Sequence, residues 1–399
     1  MKWKNKGHEF DELGEIFKKN KDILVIGNEE SLKSIKEELD FLGIYIEYNS
    51  SILKYLSVPF INNKKIGKNK TIVIADNDKN TLKKILKIKR FKHNKNVFLG
   101  EDFLREYLSI YALYICDKVY SGISSCIVMT DYCSLNCKYC LNYEPYIKNK
   151  RHRDIKDLKN DIDLFFLSFD RVKYFSLTGG EPFLYPHFAE LLEHVSKNYG
   201  HKIHTLWFAT NGSIMPSDDL LNTIKNSNIE IWLDDYTKNA PHTKNTFEKL
   251  LKKCKEMNIN HRVSNEMIFI KSFPPKMDYT KYTDEQLIDK YNGCQNPGPE
   301  LRNGKLYSCC YSGFADNANL VKAKEQDFFD LRLSNFDNGG GYKKLLIEFK
   351  LYYSERGYTE FCKYCNGFFG INNDTDENGV TQLKMNEKLE WDINNPTYL

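Results

Sequence analysis

Apolar positions in the first hundred residues alternate between short continuous runs and helical spacings. Residues 22–27, Asp-Ile-Leu-Val-Ile-Gly, form an apolar run bounded by polar residues, the pattern of a buried parallel strand. Leu32, Ile35, Leu39 and Leu42 follow at helical spacing; 44–47 and 71–75 read as further strands, and 81–88 as a Lys-rich helix. This βαβ series predicts a small Rossmann-like domain over residues 1–105. Its first turn, Gly27-Asn28-Glu29-Glu30, lacks the Gly-x-Gly-x-x-Gly that brings backbone up to a pyrophosphate, so a structural or docking role without bound dinucleotide is expected. Residues 102–116 read as a Tyr- and Leu-rich helix inside a linker, 106–122.

From Ser124 the alternation restarts. Strand-like runs fall at 126–130, 174–177, 205–209, 229–233 and around 267–270, with helical stretches between most of them. The helix at 246–257 carries Phe247, Leu250, Leu251, Cys254 and Met257 along one face. Repeated βα units over 123–275 predict an α/β fold, a parallel sheet or partial barrel with its chemistry at the strand C-termini. Beyond Pro274 regular alternation stops, and Arg302-Asn303-Gly304-Lys305 predicts a hairpin turn. The polar stretch 373–399 reads as a loosely packed tail.

The chain has 399 residues, 41% hydrophobic and 14% aromatic, which excludes global disorder. Lys plus Arg is 58 against 54 for Asp plus Glu, too balanced to argue for a nucleic-acid or anionic-membrane partner. No apolar run approaches the ~18 residues of a membrane span, and the basic N-terminus lacks the apolar stretch of a signal peptide. Cytoplasm is therefore the expected location. There the 11 cysteines are not expected to form structural disulfides, and their clustering points to metal.

Cys133, Cys137 and Cys140 sit in one loop after the first strand of the second series, at C-x3-C-x2-C spacing. Zinc usually draws four ligands as two pairs; three thiolates on a cubane 4Fe–4S cluster leave one iron open to a small molecule. The loop, with aromatic Tyr139 before its last cysteine, resembles the signature of the radical S-adenosylmethionine (radical SAM) superfamily. The resemblance implies a partial (β/α) barrel whose cluster binds S-adenosylmethionine at the open iron. It also implies reductive cleavage to a 5′-deoxyadenosyl radical and an external electron donor such as flavodoxin or ferredoxin. Thr178-Gly179-Gly180-Glu181-Pro182 resembles the family's glycine-rich segment, which holds the methionine end: glycines let backbone approach closely, and Glu181 could accept from the ammonium. Phe208-Ala209-Thr210-Asn211-Gly212 resembles the segment near the cofactor's ribose or carboxylate, although Asn211 fits a turn equally well.

A second pattern, Cys294-x9-Gly304-x4-Cys309 followed by Cys362-x2-Cys365, resembles the SPASM/twitch extensions of the superfamily. No cysteine follows Cys365, a departure that favours the shorter twitch type: an α+β extension over 276–372 with one auxiliary 4Fe–4S cluster on Cys294, Cys309, Cys362 and Cys365. The same four thiolates would also suit a structural zinc. Cys310 is an alternate ligand, while Cys116, Cys126 and Cys254 read as small core residues. Asp234, closing the fourth strand of the series, is the candidate proton acceptor beside substrate, with a turn or capping carboxylate as the rival reading; Arg262, Asn265 and Glu266 are weaker candidates. The family context implies a sugar, cyclitol or nucleotide-linked glycan precursor as substrate, oxidised or otherwise remodelled. A ribosomally made peptide is the alternative, and a non-catalytic iron–sulfur or zinc scaffold a third reading.

Overall fold

The computed structural model describes residues 8–27, 29–44, 70–75, 95–264, 269–296, 298–336, 341–352, 356–376, 380–384 and 386–399. The strand expected at 44–47 (apart from Ile44) and the helix expected at 81–88 lie outside them. The chain forms two compact units. One comprises Met1–Ile123, Phe169–Lys173 and Gly340–Leu351; the other comprises Ser124–Ser168, Tyr174–Gly339 and Tyr352–Leu399.

In the first unit β1 (Asp22–Gly27), β2 (Lys70–Ala75) and β3 (Val97–Leu99) form a parallel sheet in that order. The helix Glu29–Phe41 buries Leu32, Ile35 and Leu39, the positions whose spacing predicts it. A preceding helix, His8–Lys19, is an element the sequence reading did not anticipate; it buries Phe10 and Phe17 one face apart. Residues 100–116 are helical with one π-helical turn, Phe103–Tyr107, and lead to the two-residue β4 (Tyr120–Ser121).

The second unit is built on β5 (Ser125–Val128), β6 (Arg171–Thr178), β7 (Ile203–Thr210), β8 (Glu230–Asp234) and β9 (His261–Ser264), neighbours in chain order. Helices Ile155–Ser168, Phe188–Tyr199, Asp218–Asn226 and Lys244–Glu256 occupy the connections. In β8, Ile231 and Leu233 are fully buried, so Glu230, Trp232 and Asp234 point to the opposite, inner face. This is a partial (β/α) barrel. Beside β5 lies β10 (Glu300–Arg302), parallel to it, then β11 (Lys305–Tyr307) and β12 (Phe328–Asp330), both antiparallel to their neighbours. The β10–β11 turn is Asn303 and Gly304, with φ of 51° and 71°, the left-handed pair that a two-residue hairpin needs. Asp161 clamps it, accepting from Asn303 N at 2.7 Å and Gly304 N at 2.6 Å.

The fifth strand, beside β8, is His261–Ser264; of the strand expected around 267–270, residues 267 and 268 lie outside the described residues. Asn258, at φ 54°, turns the chain out of its helix directly into the sheet, and Arg262 is already in register with Trp232. Ile270 instead bridges Thr375. The tail expected over 373–399 is anchored at several points: Asp376 N donates to Phe269 O at 2.8 Å, Leu389 N to Pro145 O at 3.2 Å, and Val380 is 1% exposed, while most described residues of 386–399 are exposed. The tail is held mainly through its backbone, which a side-chain pattern does not reveal. No helix among the described residues is long and apolar enough to cross a membrane.

Candidate active site

Strand ends β5, β6, β7 and β8 converge on the loop of Cys133, Cys137 and Cys140. Gly180 N donates to Thr130 O at 2.9 Å and Glu181 N to Tyr132 O at 2.8 Å, zipping the Gly-Gly-Glu-Pro turn onto the cysteine loop. A Cβ on Gly180 would stand 2.3 Å from Tyr132 O and 2.9 Å from Cys133 Cβ. The glycine is thus required by loop-to-loop contact, independently of any ligand.

Glu181 is fully buried. Its Oε1 accepts from Phe183 N at 3.1 Å and Thr210 Oγ1 at 2.8 Å, and its Oε2 from Asn211 N at 3.0 Å. Burial pushes its carboxyl up to about 7 against the pull of these bonds. The side chain brackets two strand ends. Asn211 likewise does two jobs: Oδ1 accepts from Ser213 N at 2.9 Å, and Nδ2 donates to Ser134 Oγ at 3.2 Å and faces Cys133 Sγ at 3.6 Å.

The three thiols are unbridged and bound by a wall of Leu135, Tyr139, Tyr236, Phe269 and Val380. Burial pushes Cys137 up to about 12 and Cys140 to about 11, and raises Cys133 well above the ordinary thiol range. Backbone N–H groups oppose this by pointing at sulfur: Leu135 toward Cys133, Asn142 and Tyr143 toward Cys140. Buried thiols with donors already aimed at them ionise only when a cationic centre arrives. Three thiols presented by one loop, with backbone N–H groups aimed at their sulfurs, are a donor set that fits an iron–sulfur cluster.

Asp234, on the inner face at the end of β8, is pushed up to about 7 by burial and by the Glu181 carboxylate, with the Arg262 guanidinium pulling the other way. Arg262 lies over the Trp232 ring, 3.1 Å from its centroid, and Trp232 Nε1 donates to Glu230 Oε2 at 2.8 Å. Asn265 and Glu266 lie outside the described residues.

Residues 127–277 match the family model of the Radical SAM superfamily. This stretch is a radical SAM domain. Similar solved structures include Streptococcus suis SuiB bound to S-adenosylmethionine, 19% identical over 46% of this chain and 38% of SuiB, with a TM-score of 0.30. They also include native anSMEcpe with bound AdoMet, 13% identical over 65% of this chain and 92% of that one, TM-score 0.40. BtrN in complex with AdoMet and 2-DOIA is 14% identical over 61% and 92%, TM-score 0.40. No curated protein matches the chain. A radical SAM domain carries a 4Fe–4S cluster and binds S-adenosylmethionine, and the cysteine loop above is the segment of this domain chemically suited to hold that cluster.

Beyond the radical SAM domain, Cys294, Cys309, Cys362 and Cys365 line one cavity of about 370 Å³ with Lys290 and Tyr311. Phe368 N donates to Cys294 Sγ and Gly367 N to Cys365 Sγ, each at 3.2 Å, and Thr359 Oγ1 lies 3.3 Å from Cys362 Sγ. Cys310 does not line that cavity; it is buried in an apolar cluster with Val128 and Phe314 that also takes in Cys365. Sequence reasoning missed three contributors. Thr210 lies inside a recognised segment but was given no role; Lys290 is the single lysine of the helix Asp284–Gly293, with no ligand-like spacing to mark it; Gln382 sits in the supposed tail, where no local pattern marks it.

Proposed function

We propose that this radical SAM enzyme oxidises a hydroxylated small molecule of the sugar or cyclitol class, with Asp234 as proton acceptor and the four-cysteine cavity holding an auxiliary 4Fe–4S cluster. The observation that carries the reading is Asp234: a half-buried carboxyl at the end of β8, raised to about 7 by burial and the Glu181 carboxylate, which leaves it able to take a proton at neutral pH. Cys133, Cys137 and Cys140 would hold the 4Fe–4S cluster that, with S-adenosylmethionine, would supply hydrogen-atom abstraction from the carbinol carbon. Asp234 would accept the proton of the neighbouring hydroxyl, which that removal makes strongly acidic, and Cys294, Cys309, Cys362 and Cys365 would hold the group able to accept the remaining electron, so that one hydrogen atom, one proton and one electron account for a two-electron oxidation. Buried thiols with N–H donors aimed at them support a second cluster in that cavity.

The test is anaerobic reconstitution followed by tracing of deuterium from the carbinol position of candidate sugars and cyclitols into 5′-deoxyadenosine. About eight irons and label from the carbinol carbon are expected. Label arriving only from a peptide would overturn the small-molecule reading, and a chain that holds iron but never cleaves the cofactor would make it a scaffold.

A further inference from the structure

The C-terminal segment reaches back to the radical SAM loop and touches one of its sulfurs. Lys138 N donates to Thr381 O and Leu383 N to Asn136 O, both at 2.8 Å, so 381–383 runs alongside 136–138. Asn136 Nδ2 adds bonds to Lys384 O and Glu387 O at 2.9 Å each, and Val380 is buried against Leu135, Cys137 and Phe269. At the centre of this strap is the Gln382 amide. Its Oε1 accepts from Asn136 N at 3.1 Å; because a backbone N–H can only donate, the amide oxygen must face it. The NH2 group is then turned to Cys137 Sγ at 3.1 Å, with Val380 O at 3.3 Å for its second proton.

We infer that Gln382 is a positioning residue for the radical SAM cluster. It holds the cysteine loop from outside the domain and, by donating to Cys137, sets the potential at which the cluster accepts its electron. This rests on the loop holding that cluster. Reduction adds negative charge to the cluster and its thiolates, so a donor on Cys137 favours the reduced form more than the oxidised one, and its loss makes reduction harder. A hydrogen bond to a charged acceptor is among the stronger kind. Only part of its strength differs between the two oxidation states, so about a tenfold fall in the ratio of reduced to oxidised cluster at a fixed potential is expected, or about 59 mV for one electron.

The experiment is a redox titration followed by electron paramagnetic resonance on the full chain, anaerobically reconstituted, for wild type, Gln382→Leu and Gln382→Glu. The loop's cluster is the signal that changes on adding S-adenosylmethionine. Gln382→Glu keeps an acceptor for Asn136 N, and so keeps the loop's anchor while losing the donor and adding charge. Both variants should retain iron and move that midpoint to more negative potential, Gln382→Glu further than Gln382→Leu, with the other centre unmoved. An unchanged midpoint at full iron content, or loss of the loop's iron in both variants, would sink the tuning role. A wild-type chain lacking any signal that responds to S-adenosylmethionine would instead defeat the cluster assignment itself, leaving the two failures distinguishable.

Discussion

The two thiol groups of the second unit are built in opposite ways. Cys133, Cys137 and Cys140 come from eight consecutive residues, and the structure spends many hydrogen bonds on that one loop: from β6 through Gly180 and Glu181, from β7 through Asn211, and from the C-terminal strap. Cys294, Cys309, Cys362 and Cys365 come from three segments up to 71 residues apart and meet only because the chain returns to one cavity. Around the first group stand titratable carboxyls, Glu181 and Asp234, both pushed to about 7. Around the second the charged neighbour is Lys290, whose Nζ donates to the carbonyls of Cys362 and Cys365. Under the proposed assignment, three local thiolates would leave one iron of a cubane open to a reactant, whereas four would close the cluster they hold.

Removing one sulfur from each group tests this division most severely. Cys137→Ala should abolish formation of 5′-deoxyadenosine and leave about four irons in the other centre. Cys309→Ala should also lose about four irons yet still release 5′-deoxyadenosine and methionine on reduction, while product formation stops. Iron analysis and chromatography of the nucleoside decide it: cleavage surviving in Cys137→Ala would reverse the roles.

Asp234 comes next in expected size. Asp234→Asn removes the proposed proton acceptor and should lower turnover about 10²–10⁴-fold, with cluster content and cofactor binding intact. The sign of the pH dependence follows from the raised carboxyl. A base must be ionised, and Asp234 reaches half ionisation only at about 7. Turnover should therefore climb about tenfold per pH unit below that point, flatten above it, and lose this limb in the variant. A variant with wild-type turnover would reduce Asp234 to a turn carboxylate.

How much of this was legible beforehand follows the same division. The cysteine loop and the strand-end segments could be read because their information is local: spacing within ten residues, glycines after a strand, alternation along β8. The reason for Gly180 was less visible, because it lies in the Tyr132 carbonyl of another segment. The sequence suggests for Glu181 only a bond to a ligand's ammonium; that its oxygens accept from Phe183, Thr210 and Asn211 is visible only in the fold. Gln382 was out of reach altogether, since its partners lie 246 and 245 positions away and no local motif marks it. The strand His261–Ser264 was not legible because it is short and partly exposed, and its strand character comes from pairing with β8.

Gly180→Ala asks how tightly the first group is packed. The added methyl would sit 2.3 Å from a backbone oxygen, so the turn or the cysteine loop must move. Backbone conflicts of this kind belong to the strongly destabilising class, above the usual ~0.5–3 kcal/mol of a point substitution when they cannot relax. The expected result is partial loss of iron from the loop and weaker binding of S-adenosylmethionine, with the four-cysteine centre retained. Unchanged iron and cofactor binding would show that the two loops can part without consequence.

The smallest effect is expected at Lys290, and it sharpens the contrast between the centres. Its ammonium lies 3.2 Å over the Tyr279 ring centroid and donates to Cys362 O at 2.9 Å as well as to Cys365 O. Burial disfavours that charge, and the neighbouring cysteines favour it. A fixed positive charge beside a cluster stabilises its more negative, reduced form. Lys290→Met keeps the length of the side chain and removes the charge, so the four-cysteine centre should retain its iron while its midpoint moves to more negative potential. The loop's cluster should not respond. Under the proposed mechanism the electron left on the substrate would then be accepted less readily, slowing product formation more than cofactor cleavage. Equal slowing of both would mean that Lys290 serves only to hold the segment that carries Cys362 and Cys365 in place.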